Sequence, residues 1–477
     1  MKTTLVAAGT LAVLVACGGG STGSMPHTGS QPVVTFGTIT AFGSVFVNGV
    51  RYDVSRATVK KNDNVVAQAG LAVGEVAVVR GREDTQTGQG EADSVDVEDS
   101  VVGPITTITG NQLTVLGQTI SVTANTSFGP GIADLAALKG GDSIEVSGLP
   151  GMGGLIMATR IGRAESNEPL QVLGTVGTVS ATTFMINGLT VDFSTASGFA
   201  SGKPPATGDL VIARGTVFDP TAVKLTATAV RLADTDRDGQ AAGGLVEEEG
   251  LITSFTSATE FQVAGAKVTT TASTVFKNGT AADLAANVRV EVRGTLDANK
   301  VLMADVVEIE HTAVIALAAT VSGVNTMMNT LTVLGVTISV DTNTRFEDES
   351  NAQLQMFALK DVMMNDTVLV RGYEKPAGSG MVLATRLVRL PPLPLMNVGV
   401  RGPFTASTAT ASTATQFNIL SITIDATSAK FFGKGGQSLT AAEFFTQAVG
   451  QIVDVRGTAT GSTVTASMTI IDPAEDR

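Results

Sequence analysis

The most chemically pointed spacing in the chain is Asp234-Thr235-Asp236-Arg237-Asp238-Gly239. Alternating aspartates converge their carboxylates, and glycine at the sixth place permits the sharp turn of an EF-hand-type Ca2+ loop. The twelfth place is Leu245 rather than glutamate, and Glu247, Glu248 and Glu249 lie just beyond it, where they could close only a wider loop. Asp234, Asp236 and Asp238 are thus the candidate ligands of a structural Ca2+ that would stiffen a linker. The plain alternative is a solvated acidic joint, and no other cofactor is expected. Arginine directly before glycine recurs at Arg80, Arg214, Arg293, Arg371 and Arg456. A row of anion sites is one reading. The simpler one pairs each arginine with a cross-strand acid such as Asp53, Asp192 or Asp425. Catalysis by Ser-His-Asp, Cys-His or His-rich zinc has no constellation to use. His27 and His311 fall outside the repeated units described below, and Cys17 is the single cysteine. A G-x-S-x-G match at Gly19 to Gly23 lies in a Gly/Ser-rich stretch, without the strand and helix that a nucleophile elbow needs. Carboxylate pairs for glycoside hydrolysis could be drawn from many Asp and Glu residues, but no spacing singles one out, so no catalytic residue is assigned.

The elements that would carry these residues are strands. In 477 residues, 43% are hydrophobic and 16% charged, which is enough apolar material for packed cores. The apolar content is mostly Val, Ile, Leu and Ala, Thr is abundant, and the β-branched residues among them favour strands. Trp is absent, so the cores rest on aliphatics and 19 Phe. The net charge of -13 repels phosphate backbones and argues against nucleic acid as a partner.

One ten-residue pattern organises the chain. Val45 to Val54 reads VFVNGVRYDV, and variants begin at Leu113, Phe184, Phe261, Leu331 and Phe417. Apolar residues alternate about a central turn, the signature of a half-buried hairpin. Asn48-Gly49 and Asn187-Gly188 suit a type I′ turn. Leu420-Ser421 in the last copy predicts a longer or different turn. Before each hairpin stands a strand carrying glycine, as at Gly37, Gly174 and Gly250. After it comes a short extension ending on Phe128, Phe199, Phe276, Phe346 or Phe431. Short helices are expected at Asp134 to Leu138, Asp283 to Ala286 and Thr440 to Phe445, the first two capped by their aspartates. A fourth strand ends on Gly81, Gly148, Gly215, Gly294, Gly372 or Gly457, and a fifth closes the unit. This is the element order of an OB-type five-stranded Greek-key barrel. The expectation is an all-β protein of six tandem OB-like barrels, most with a short helix between strands three and four, strung as beads. The units span 33–99, 101–164, 171–232, 249–310, 316–390 and 397–472, with an acidic linker at 233–248 and a stiff Pro391-Pro392-Leu393-Pro394 link.

The order G-T-I, F-x-V-N-G-x-x-x-x-V and V-x-V-x-G resembles the bacterial family called domain of unknown function 5666, found as tandem repeats in secreted and lipid-anchored proteins. The family has no established activity, and the resemblance implies no site residues. At the amino terminus, Lys2 precedes an apolar run from Leu5 to Val15, which is shorter than the ~20 residues of a membrane span. Leu14-Val15-Ala16-Cys17 resembles the bacterial lipobox. It implies a signal peptide at 1–16, lipidation of Cys17 and a flexible tether at 17–31. By resemblance to Gram-negative sorting, Gly18 points to the outer membrane. Together these readings predict a non-catalytic, lipid-anchored spacer or binding module of the cell envelope, a monomeric array whose partner is an envelope protein or polysaccharide. The alternatives are a polysaccharide- or adhesion-binding protein and, behind it, a carboxylate-based hydrolase.

Overall fold

The computed structural model describes residues 30–84, 87–196, 204–233, 242–311, 313–392, 398–406, 415–433 and 436–471. Cys17, the tether up to residue 29 and Phe199 lie outside these residues, as do Asp234, Asp236, Asp238 and Leu393-Pro394, while Gln31, read as the end of the tether, opens the first strand. The chain is built almost wholly of strands whose side chains alternate between buried and exposed. In the third repeat, Leu170–Val179 pairs with Thr183–Ile186, which pairs with Leu189–Asp192. That strand runs parallel to Lys224–Leu232, which pairs with Leu210–Asp219, which returns to the first. The circuit of first, second, third, fifth, fourth and first strand closes a small barrel in the OB-type order. Equivalent circuits close around the hairpins at Val45, Leu113, Phe261 and Leu331.

The hairpin turns keep their backbone where the sequence changes. Asn48 and Asn187 have φ of 50°, and Leu116, Ala264, Leu334 and Leu420 lie between 47° and 54°. The last turn is therefore not longer: Ile419 pairs with Ile422 across Leu420-Ser421. The helix expectation is corrected. Single 3-10 turns occupy Gln68–Gly70, Leu135–Ala137, Ala281–Asp283 and Leu359–Asp361. The one α-helix among the described residues is Ala441–Gln447, with a Thr440–Glu443 capping box. The other segments are too short to repay helix nucleation. Asp134 does cap its turn, but Asp283 ends its own and accepts a bond from the Thr280 amide at 2.8 Å.

The arginine-glycine signature marks a β-bulge. The register of the fourth strand against the fifth slips at Arg293/Gly294 and at Arg371/Gly372. A Cβ on Gly294 would sit 2.0 Å from the Met303 carbonyl oxygen, and on Gly372 2.1 Å from that of Leu383. Only glycine lets the two backbones approach this closely.

The barrels are not separate beads. Each of three sheets holds the strands of two repeats. In the first repeat, the second strand covers only the far half of Gln31–Phe42, leaving the near half with one open edge. That edge is taken in parallel by the first strand of the fourth repeat, Leu245–Ser257, through Val33/Leu245 to Phe36/Glu248. Second and third repeats join antiparallel through Val101/Val172, and the fifth and the last through Leu317/Val400. An unpaired edge is an adhesive surface, and mutual pairing removes it. Val76, Leu149 and Leu251, with Phe36 and Met157, form an apolar seam between barrels of the first, second and fourth repeats.

Gly372→Ala is expected to lower the denaturation midpoint by about 1–3 kcal/mol in stability, the usual penalty for overpacking. Ala at exposed, positive-φ Gly378, with nothing near its Cβ, serves as the strain-only control in the same chemical melt.

Candidate functional site

Polar chemistry concentrates where barrels meet. The strand Leu245–Ser257 begins inside the stretch read as an acidic linker, so Glu247, Glu248 and Glu249 are buried strand residues and not loop ligands. Pairing on both edges buries eight consecutive residues there, three of them glutamates. Glu247 bonds Arg293, which also reaches Glu83 of the first repeat at 2.9 Å. Thr35 donates to Glu247 at 3.2 Å and lies 2.6 Å from the Tyr52 hydroxyl. Burial, reinforced by the Glu83 charge, pushes the Glu247 carboxyl up to about 8. Burial acts on Glu249 in the same direction. Arg289 and the Thr38 amide, 2.6 Å away, outweigh it and hold that carboxyl below its usual range.

The third sheet enters at the same place. Arg345 is 3% exposed and donates to the backbone oxygens of Asn125 and Thr159 in the second repeat. Burial and the nearby Arg289 charge lower it to about 10. Glu347 accepts from Arg386 at 2.6 Å and from Ser127 at 2.8 Å, and Thr385 donates to Asn125 at 2.8 Å. Residues of the first, second, fourth and fifth repeats thus share one buried hub.

Four of the recurrent arginines, Arg293 among them, meet acids, but not the acids expected. Arg80 meets Asp96 at 2.6 Å, Arg214 meets Asp63 and Glu98, and Arg456 lies 3.6 Å from Asp454. Asp53, Asp192 and Asp425 instead accept the amides of Ser55, Ser194 and Thr427, stopping the strand with a local turn. The Ser194 and Thr427 hydroxyls, 2.6 Å from Asp192 and Asp425, together with the three amides hold all three carboxyls below their usual range. His311 is a junction residue too. Its Nε2 lies 2.5 Å from the Asn278 oxygen, and its ring packs on Tyr373 at 4.9 Å.

Sequence reasoning missed an acidic triad. Carboxylate oxygens of Asp99, Glu145 and Glu168 lie within 4.8 Å of one another. Lys61 already supplies a cation there, with its ammonium 2.8 Å from Glu75 and 3.2 Å from Glu145. Asn62 donates to Asp99 at 2.8 Å and to Glu168 at 3.1 Å. Burial raises Asp99 to about 6. The cluster works as a clamp between first, second and third repeats, and a divalent ion would have to displace the lysine.

Next to this clamp the first four repeats enclose a cavity of about 460 Å³. Phe36, Val78, Leu155, Leu173 and Leu210 wall it with the outward faces of barrel strands, and Lys60, Arg80 and Arg231 reach its edge. Its residues come from four separate repeats, so no local signal announces it.

Glu249→Ala would leave Arg289 and the Thr38 amide buried without their acceptor. A loss of about 3–5 kcal/mol is expected, read as a lower denaturation midpoint. The pH dependence follows from Glu247. Its native carboxyl, near 8, holds a proton that the unfolded chain releases near 4.5. This contribution is fully present below 4.5 and fades as pH rises to 8. Glu249 and Glu347, held low, oppose it only in acid. Asp99, raised to about 6, and Glu310, raised to about 7, act in the same direction, so melting temperature should fall between pH 5 and 8, and Glu247→Gln should make that limb shallower without removing it.

No curated protein matches the chain. The sequence model of the family described as Domain of unknown function (DUF5666) matches residues 102–162, 249–308 and 319–387, spanning the hairpins at Leu113, Phe261 and Leu331. The chain carries tandem repeats resembling that family.

Proposed function

We propose that the protein is a non-catalytic exported lipoprotein of six OB-like barrels, anchored through Cys17 and acting as a rigid spacer and binding module of the bacterial cell envelope. The observation that carries this reading is the engagement of its buried acids and arginines. Glu247, Glu249, Arg289, Arg293, Glu347 and Arg386 are bonded into barrel junctions, all but Arg289 directly across repeats. Side chains committed to holding barrels together suit a fixed scaffold better than a reacting centre. The lipobox-like Leu14-Val15-Ala16-Cys17 and the glycine-rich stretch after it supply an anchor and a tether. The proposed address is the outer membrane, and a structural Ca2+ at Asp234, Asp236 and Asp238 stiffens the link between third and fourth repeats.

Fractionation of the producing bacterium tests the anchor. The wild-type chain is expected with outer membranes and Cys17→Ser in the soluble fraction; a Cys17→Ser chain that still sediments with membranes would contradict lipidation. Chelator should lower the melting temperature of the fourth repeat and leave Asp236→Asn unaffected. An unchanged wild-type melt removes the Ca2+ proposal. Glycan arrays and envelope pull-downs separate a protein partner from a polysaccharide.

A further inference from the structure

We propose that the cavity between the first four repeats binds a monoanionic amphiphile, a single apolar chain ending in one carboxylate. The inference deepens the binding-module reading above and rests on it. About 460 Å³ falls within the range of small-molecule sites, roughly 300–1,000 Å³. It equals about fifteen waters at ~30 Å³ each, and a methylene is of similar size. One chain of ordinary fatty-acid length fits, and a two-chain lipid does not.

The walls set the apolar part. Phe36, Val78, Leu155, Leu173 and Leu210 are half-buried. They sit on outward strand faces, where barrel closure does not require apolar residues: Ala77 and Val79 flank Val78 and point into the core, as Val172 does beside Leu173. An apolar chain in the cavity would cover surface that the fold itself leaves uncovered.

The charges at the edge set the head group. Arg80 is neutralised by Asp96 at 2.6 Å. Arg214 and Arg231 share Asp63 and Glu98, two cations against two anions. Lys60 makes no ion pair among the described residues and is half-buried at the cavity edge. With Arg214, which bonds Asp63 and Glu98 from outside the lining, the described residues here carry four cations against three anions, so a single anion is complementary, whereas a dianion or a cation would have to open an existing pair. Gln118, 1% exposed, adds an amide held by the Leu116 and Ile186 carbonyls and by Asn187. The site therefore selects by one charge and by the length of one chain.

The test uses the whole mature chain carrying Cys17→Ser, with oleate as probe and oleyl alcohol as its uncharged match, both below their aggregation limits. Equilibrium binding is expected at one oleate per chain, with the alcohol about tenfold weaker. Lys60→Met should weaken oleate about tenfold and leave the alcohol unchanged. Leu173→Trp, which fills the cavity, should abolish both, and Leu155→Trp serves if that variant does not fold. The proposal is overturned by an absence of oleate binding, by equal binding of acid and alcohol, or by binding indifferent to Lys60→Met and to the tryptophan variant. Loss of this site alone leaves the spacer reading standing. That reading fails separately, if solution scattering of the same protein shows the repeats moving independently.

Discussion

A carboxylate removed from water must find a cation or a donor, and in this chain it often finds one on another barrel. Glu249 sits on the first strand of the fourth repeat and is bonded by Arg289 of its own barrel and by the Thr38 amide of the first. Arg293 bridges Glu247 and Glu83 across the same joint. Arg386 bonds Glu347 and also reaches the Thr126 oxygen of the second repeat at 3.2 Å. Such pairs add little net stability compared with a well-packed apolar contact, because both ions lose their hydration. Their effect is directional. A hydrophobic seam such as Val76, Leu149 and Leu251 tolerates sliding, whereas a bonded pair fits one register.

That constraint explains the partnerships between repeats. An open half-edge on the first strand exists in every such barrel, and in principle any two could pair. The parallel joint of first with fourth repeat brings Glu247 opposite Thr35 and Glu249 to Thr38. The antiparallel joint of second with third lets Gln171 reach the Asp99 carbonyl at 2.6 Å and Arg214 reach Asp63. Among the described residues, assembly of the barrels leaves a sizeable space between the first four repeats, walled largely by outward strand faces.

Much of the barrel was legible in the sequence and little of its assembly was. Alternation in VFVNGVRYDV and its variants marks the hairpin because a strand's period is two. Terminal glycines such as Gly294 mark the bulge because a Cβ would strike the next strand. Helix expectations over-reached, since Asp283-Leu284-Ala285-Ala286 has helical composition but too few residues to nucleate a helix. Glu247 and Glu248 looked like the end of a linker, because the burial of this run depends on a strand more than two hundred residues away. The Asp53, Asp192 and Asp425 position was visible as recurrent, yet the nearby Ser or Thr that each aspartate bonds was the better guide to its role.

The central claim is that barrels of all three sheets meet as one body around the buried hub. Asn125 of the second repeat and Thr385 of the fifth are 260 residues apart, with their side chains in contact at 2.8 Å. In a Cys17→Ser background, Asn125→Cys with Thr385→Cys should be joined nearly completely within one chain by a short bifunctional thiol crosslinker. A folded, monomeric protein whose two thiols stay unjoined under those conditions would contradict the assembly.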